Sequence, residues 1–190
     1  MTIRFFLAVL AVTSAASVGS ASAAETPAKP RAAEVATKSA PPGAGQKEPA
    51  DKALPRAAQE AGLRACRPLI DQTTRYLVGS SPSSGMLFTA PENASMRIAT
   101  SAIEIDNQQT LTYASATFSP YGDAGCGITY DAVTYWKESC AEVSSKVLGK
   151  LRNLGTLGNR ISMLDGGPTM RVFLMPAGTG CVQIKKEIIY

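Results

Sequence analysis

The stretch CGITYDAVTYWKESCAE, residues 126–142, places a strand and the start of a helix side by side. From Gly127 to Trp136 the residues are mostly β-branched or aromatic, the composition of a pleated strand. A period of two puts Tyr130 and Trp136 on one face and Asp131 and Tyr135 on the other. Ser139-Cys140-Ala141-Glu142 then fits a capping box, in which the Ser139 hydroxyl accepts from the third-position N–H and Glu142 reaches back. Behind it Cys140, Val143, Val147 and Leu151 recur at helical spacing as one apolar stripe, ended by Asn153 and Gly155. This stretch therefore joins a strand to a helix within one domain.

Reading outward, two more strands are expected upstream, Met96–Ile105 and Thr110–Phe118, set apart by Asp106-Asn107-Gln108 and Pro120–Gly125. Their small and hydroxyl residues (Ala99, Thr100, Ser101, Ala114, Ser115, Ala116) suggest a solvated or thinly covered face, which antiparallel sheets allow. Three further strands are expected downstream: Arg160–Asp165, Met170–Met175 and Cys181–Tyr190. Asp165-Gly166-Gly167-Pro168 and Pro176-Ala177-Gly178-Thr179-Gly180 between them are hairpin turn chemistry. A first helix fits Pro68 to Val78, with proline in its first turn, Gly79 at its end, and Leu69, Ile70, Thr73, Tyr76 and Leu77 along its apolar side. Before it, Arg56–Ala65 reads as a turn or two of helix, and Gly79–Asn93 reads as loop. The expected fold is two helices packed on antiparallel sheet in the order α-βββ-α-βββ, spanning 57–190 as one domain.

That order suggests a degenerate internal duplication, with chance similarity of two hairpin-rich halves as the simpler account. Each half carries a cysteine at its helix start (Cys66, Cys140) and one opening its third strand (Cys126, Cys181), and a tyrosine follows nine residues after the latter (Tyr135, Tyr190). If the halves correspond, Cys66–Cys126 and Cys140–Cys181 is the natural pairing. The other two connectivities stay open, because spacing alone does not fix them.

The four cysteines read as disulfides because the chain opens with an export signal. Arg4 gives the positive start, Phe5 to Val12 the short apolar core, and Ala21-Ser22-Ala23 the small residues of a cleavage site, so 1–23 is expected to be a signal peptide. The apolar run of about eight residues is far below the ~20 of a spanning helix, so the mature chain is expected to have no membrane span. Residues 24–56, rich in alanine, proline and mixed charge, cannot bury enough apolar surface to order themselves and read as a disordered spacer. The net charge of +4 on 190 residues is concentrated there: leader and spacer hold seven of the 19 basic residues and four of the 15 acidic ones. The remainder is nearly neutral, with no basic cluster to follow a nucleic-acid backbone.

With no histidine in the chain, Ser-His-Asp and Cys-His nucleophiles and His-ligated zinc are excluded. No nucleophile elbow, phosphate loop or calcium loop occurs, and no cofactor or metal is implied. Paired carboxylates remain, Asp131 with Glu138, which by themselves support a small hydrolase. Tyr130, Asp131, Tyr135, Trp136 and Lys137 form the best candidate contact surface, since tyrosine and tryptophan beside charge are enriched in binding hot spots; the plainer account makes Trp136 a core anchor. At the C-terminus, Val182, Ile184 and Ile188 face opposite to Lys185 and Glu187, and Lys185-Lys186-Glu187 resembles the charge that protects an edge strand. The function expected from these residues is a non-enzymatic binding or accessory protein of the periplasm, cell envelope or medium, contacting a protein or polysaccharide. A secreted hydrolase inhibitor presenting Ser80–Gly85 or Pro176–Gly180 is the alternative, and a carboxylate-based hydrolase the second.

Overall fold

The computed structural model of the chain describes residues 48–121 and 125–189. The expected signal peptide 1–23, residues 24–47 of the expected spacer, Asp123 and Tyr190 lie outside the described residues. Two helices, α1 (Ala50–Glu60) and α2 (Arg67–Val78), precede four strands: β1 (Ser83–Phe88), β2 (Ala99–Asp106), β3 (Leu111–Pro120) and β4 (Cys126–Trp136). A short helix α3 (Cys140–Glu142) continues as a π-helical turn, Val143–Val147, and four more strands follow: β5 (Arg152–Leu157), β6 (Ile161–Asp165), β7 (Met170–Ala177) and β8 (Gly180–Ile189). All eight strands form one antiparallel sheet in the order β1-β2-β3-β4-β8-β7-β6-β5. The α+β class with helices on antiparallel sheet is therefore the architecture, but each run of strands has four members instead of three.

The helices lie on one face of the sheet. Ala50, Leu54 and Ala58 make the buried stripe of α1, and Ile70, Thr73, Thr74 and Val78 that of α2. They cover Ala99, Ser101 and Ile103 of β2, Ala114, Ala116 and Phe118 of β3, and Cys126, Ile128 and Tyr130 of β4, all buried. A second, smaller core gathers Val143, Leu164, Val172, Leu174 and Cys181, with Trp136, Cys140, Leu148 and Leu151 packed against it. Disulfides Cys66–Cys126 and Cys140–Cys181 tie each helical segment to the sheet beneath it.

Several local expectations change. Helix α1 starts at Ala50, inside the stretch 24–56 read as spacer, and Pro55 is accommodated within it. Apolar residues four apart gain more from burial on the sheet than the proline and alanine composition suggests. Gly79–Asn93 is not all loop, since β1 pairs along β2 from Ser83↔Ile105 to Phe88↔Thr100. At Gly85 a Cβ would lie 2.7 Å from Leu54 Cδ1 and 3.2 Å from Ala50 Cβ, so α1 rests directly on a strand position that needs glycine. The small residues of β2 and β3 do not all mark a solvated face. Ala99, Ser101, Ala114 and Ala116 are buried and let the helices lie close, while Thr100 and Ser115 face the other way.

The capping box forms as read, with Ser139 Oγ accepting from Glu142 N–H and Glu142 accepting from Ser139 N–H. The helix behind it, however, is short. Leu148 N–H bonds back five residues to Val143 O, at 3.0 Å, and this wider turn rotates Val147 out to 49% exposure while Leu148 packs inward. Asn153 and Gly155 consequently sit in β5, at a bulge, with Gly155 at φ +99°, instead of ending a helix. The chain-terminal strand is no edge either: β8 lies at the centre, between β4 and β7.

Candidate functional site

The open face of the sheet, opposite the helices, follows directly from register. One row of directly paired residues runs Tyr113, Val133, Ile184, Phe173, Met163 across β3, β4, β8, β7 and β6. The next row holds Tyr135, Val182 and Met175, flanked by Leu111 on β3 and by Ile161 and Leu157 on β6 and β5. No described element covers these rows. Leu111 is 59% exposed, Tyr113 51% and Tyr135 50%. A third row, on the other side of the first, is charged: Asp131, Lys186, Arg171, Asp165 and Arg152 are paired strand to strand. Lys186 Nζ lies 2.8 and 2.9 Å from the two Asp131 oxygens, and Asp165 meets Arg152 at 2.7 Å and Arg171 at 3.2 Å. Hydrogen bonding from Arg152, then from the Gly167 N–H, holds the Asp165 carboxyl below its ordinary value. The open face is thus a double apolar band bordered by a charge ladder.

The residues singled out from the sequence divide between the two faces. Asp131 and Tyr135 are on the open face; Tyr130 and Trp136 are on the helix face, as the period of two requires. Tyr130 is buried, and Trp136 packs against the second core while its indole N–H donates to Gln183 Oε1 at 3.0 Å. Tyr135, Trp136 and Lys137 join Gln109, Thr110, Leu111 and Glu138 around a shallow pocket at the end of β4. Asp131 does not reach it. Five residues of strand separate Asp131 from Trp136, about 16 Å, and Glu138 lies beyond; a carboxylate pair for glycoside hydrolysis needs roughly 5–9.5 Å. Of the two loops expected to protrude, Ser83–Gly85 belong to β1, and Pro176–Gly180 closes the tight β7–β8 hairpin.

A polar cluster on the helix face was not anticipated as a unit. Tyr130 donates to Glu187 Oε2, Lys185 Nζ donates to Tyr76 Oη at 2.9 Å and lies 3.1 Å from Glu187, and the same ammonium stands 5.2 Å from both tyrosine ring centres. Burial first, then the bonds to Glu187 and Tyr76, drive the Tyr130 phenol far above its ordinary value. Tyr76 is held below its own, chiefly by the Lys185 hydrogen bond. Burial opposes the charges of Lys185 and Glu187, but their hydrogen bonds outweigh it: Lys185 ends above its ordinary value and Glu187 below. The sequence does place Lys185 and Glu187 opposite Val182 and Ile184; that α2 brings Tyr76 to them is a tertiary fact.

Among the described residues no three cysteines or acids gather at metal-binding distance, and no helix is long and apolar enough to cross a membrane. Compared with known proteins, the chain matches no family model, and no curated protein or solved structure is significantly similar to it.

Proposed function

We propose that this is an exported, non-enzymatic binding or accessory protein of the periplasm, cell envelope or medium, and that it contacts a protein partner through the open face of its sheet. The observation that carries the reading is the uncovered apolar band, with Tyr113, Tyr135 and Leu111 each about half exposed. Contiguous exposed apolar surface of this kind, rimmed by charge, is typical of interaction sites. The side chains beside the two tyrosines are aliphatic: Val133 is paired with Tyr113, Val182 with Tyr135, and Ile184 lies next to Val133. A polysaccharide needs hydrogen-bonding groups there, whereas a protein hot spot needs desolvated apolar area, so a protein partner fits better. The leader, the alanine- and proline-rich stretch after it, and the paired cysteines support export and display.

The test is capture with immobilised full-length mature protein, wild type against Tyr135→Asp, challenged separately with envelope extract and with purified envelope polysaccharide. The expected result is one protein species retained by the wild type and lost by Tyr135→Asp while circular dichroism and both disulfides are unchanged. Retention of polysaccharide alone, or of the same protein by both variants, overturns the assignment of the surface. Cell fractionation checks export, with precursor and processed masses differing by the leader.

A further inference from the structure

We infer that the free edge of β1 is a strand-addition site, which takes an extended segment of another protein as one further strand of the sheet. The inference does not rest on the open face being the contact surface, and its test separates the two. Strand β1 ends the sheet and is paired only with β2. The phase of that pairing is set at Pro82, whose carbonyl accepts from the Asp106 N–H at 3.0 Å. In an antiparallel pair, residues that exchange hydrogen bonds alternate with residues that do not. Continued along the register, Ser84, Met86 and Phe88 bond to Glu104, Ala102 and Thr100, while the N–H and C=O groups of Ser83, Gly85 and Leu87 point away from β2. No described backbone group bonds to them.

The opposite edge of the sheet is guarded and this one is not. Strand β5 carries Arg152 and a bulge between Asn153 and Gly155, and the Gly155 N–H is taken up by Asn153 Oδ1 at 2.7 Å. Charge and bulges are the common protection of an exposed edge. The SSGMLF sequence of β1 has neither: its register is continuous over six residues, and none is charged. On the open-face side Met86 and Phe88, 58% and 51% exposed, offer apolar area to alternate residues of an added strand. On the helix side Leu54 and Ala50 already fill the space above Gly85, so the residue set against Gly85 has to be small. Backbone groups thus supply the hydrogen bonds and the two faces the side-chain preference, which is the logic of strand addition. A second copy does not fit as the occupant. Its β1 would bring its own α1, and two helices each seated on its own strand would stand about 4.8 Å apart, whereas packed helices need about 8–10 Å. The occupant is a segment with no helix over it.

The probe is a synthetic peptide, Val-Ser-Val-Ala-Val-Ser-Val flanked by lysines for solubility, whose serines and alanine face α1 when it pairs antiparallel with β1. It is titrated to about 1 mM into isotope-labelled full-length mature protein, beside one version N-methylated at the serines and alanine and another N-methylated at the valines. The first modification removes the donors that face β1, and the second leaves them. The plain and valine-methylated peptides are expected to bind alike, and the other about 10-fold more weakly or worse. In the complex, amide exchange at Ser83, Gly85 and Leu87 is expected to slow about 10-fold or more, while Ser84, Met86 and Phe88, already bonded to β2, change less. Ser83→Pro deletes an outward N–H at the first residue of the strand, where proline is tolerated, and is expected to weaken binding about 5-fold or more; Met86→Lys is the second variant should the first misfold. No binding, equal binding of all three peptides, or unchanged exchange overturns the inference, and a dimer that protects the same amides without peptide overturns the occupant. Tyr135→Asp is expected to bind the probe as the wild type does. Loss in Tyr135→Asp with Ser83→Pro unaffected moves the peptide to the open face and overturns the edge site. Probe binding that persists while capture by the open face fails overturns only the open-face reading.

Discussion

The contact of Leu54 with Gly85 gives a direct test of whether α1 belongs to the domain. Leu54 is fully buried, and a Cβ on Gly85 would come within 2.7 Å of its Cδ1, 3.1 Å of Ala102 O and 3.2 Å of Ala50 Cβ. Gly85→Ala therefore overpacks the helix–strand contact, a loss of about 1–3 kcal/mol, partly offset by the ~0.5–1 kcal/mol that alanine gains over glycine in a strand; a net loss of about 1–2 kcal/mol follows. Leu54→Ala leaves a cavity over the strand, at about 3–4 kcal/mol. In the double variant the new methyl enters the space that Leu54 vacated, while the Ala102 and Ala50 contacts remain. The two losses are thus less than additive, with a coupling of about 1–2 kcal/mol. Urea unfolding at 25 °C, followed by circular dichroism and by Trp136 fluorescence, measures all four corners of the cycle. A neutral or stabilising Gly85→Ala, or losses that add to within about 0.5 kcal/mol, refutes the docking of α1 on β1.

Two further predictions concern the cluster and the bridges. Because Tyr130 is held above its ordinary value, its contribution is fully present below pH ~10 and is lost as pH rises from there, when the phenol ionises only in the unfolded chain. Lys185, also raised, acts in the same sense, and Tyr76, lowered, in the opposite one. Tyr130→Phe is therefore expected to cost about 1–2 kcal/mol at pH 7 by removing one of the two donors to Glu187, Lys185 remaining as the other, and to flatten the fall of stability between pH ~10 and 11 relative to wild type. An unchanged alkaline slope in a urea-titration series contradicts this. Removing Cys140–Cys181 or Cys66–Cys126 as paired alanines frees loops of 41 and 60 residues, and each is expected to cost about 4 kcal/mol in chain entropy. Mapping of the non-reduced protein should return these two linked peptides, and a Cys126–Cys140 peptide would contradict the structure.

Local signals in the chain are reliable where one short interaction decides the outcome. The capping box at Ser139 depends on four consecutive residues, and the β7–β8 turn on Gly178 at φ +61° beside Gly180. The division of β4 into a Tyr130–Trp136 face and an Asp131–Tyr135 face needs only the period of two. Strand β1 has no such signal. Its SSGMLF sequence is poor in β-branched residues, and it becomes a strand because β2 offers hydrogen bonds on one side and α1 covers Gly85. The same holds for β5, whose Asn153 and Gly155 read as a helix end until the π-helical turn has stopped the helix early.

For the candidate site, the sequence by itself determined which side chains share a face of a strand. Only the tertiary structure decided which face is buried. That choice depends on both helical segments lying on the same side of one continuous sheet, and no residue pattern within a strand encodes it. It sends Tyr130 and Trp136 inward, brings Tyr76 to Lys185, and leaves Tyr135 beside Val182 in an uncovered band. Strand order is likewise a long-range result. Because β8 returns to pair with β4, two short apolar segments 47 residues apart in sequence, at Tyr135 and Val182, become one surface.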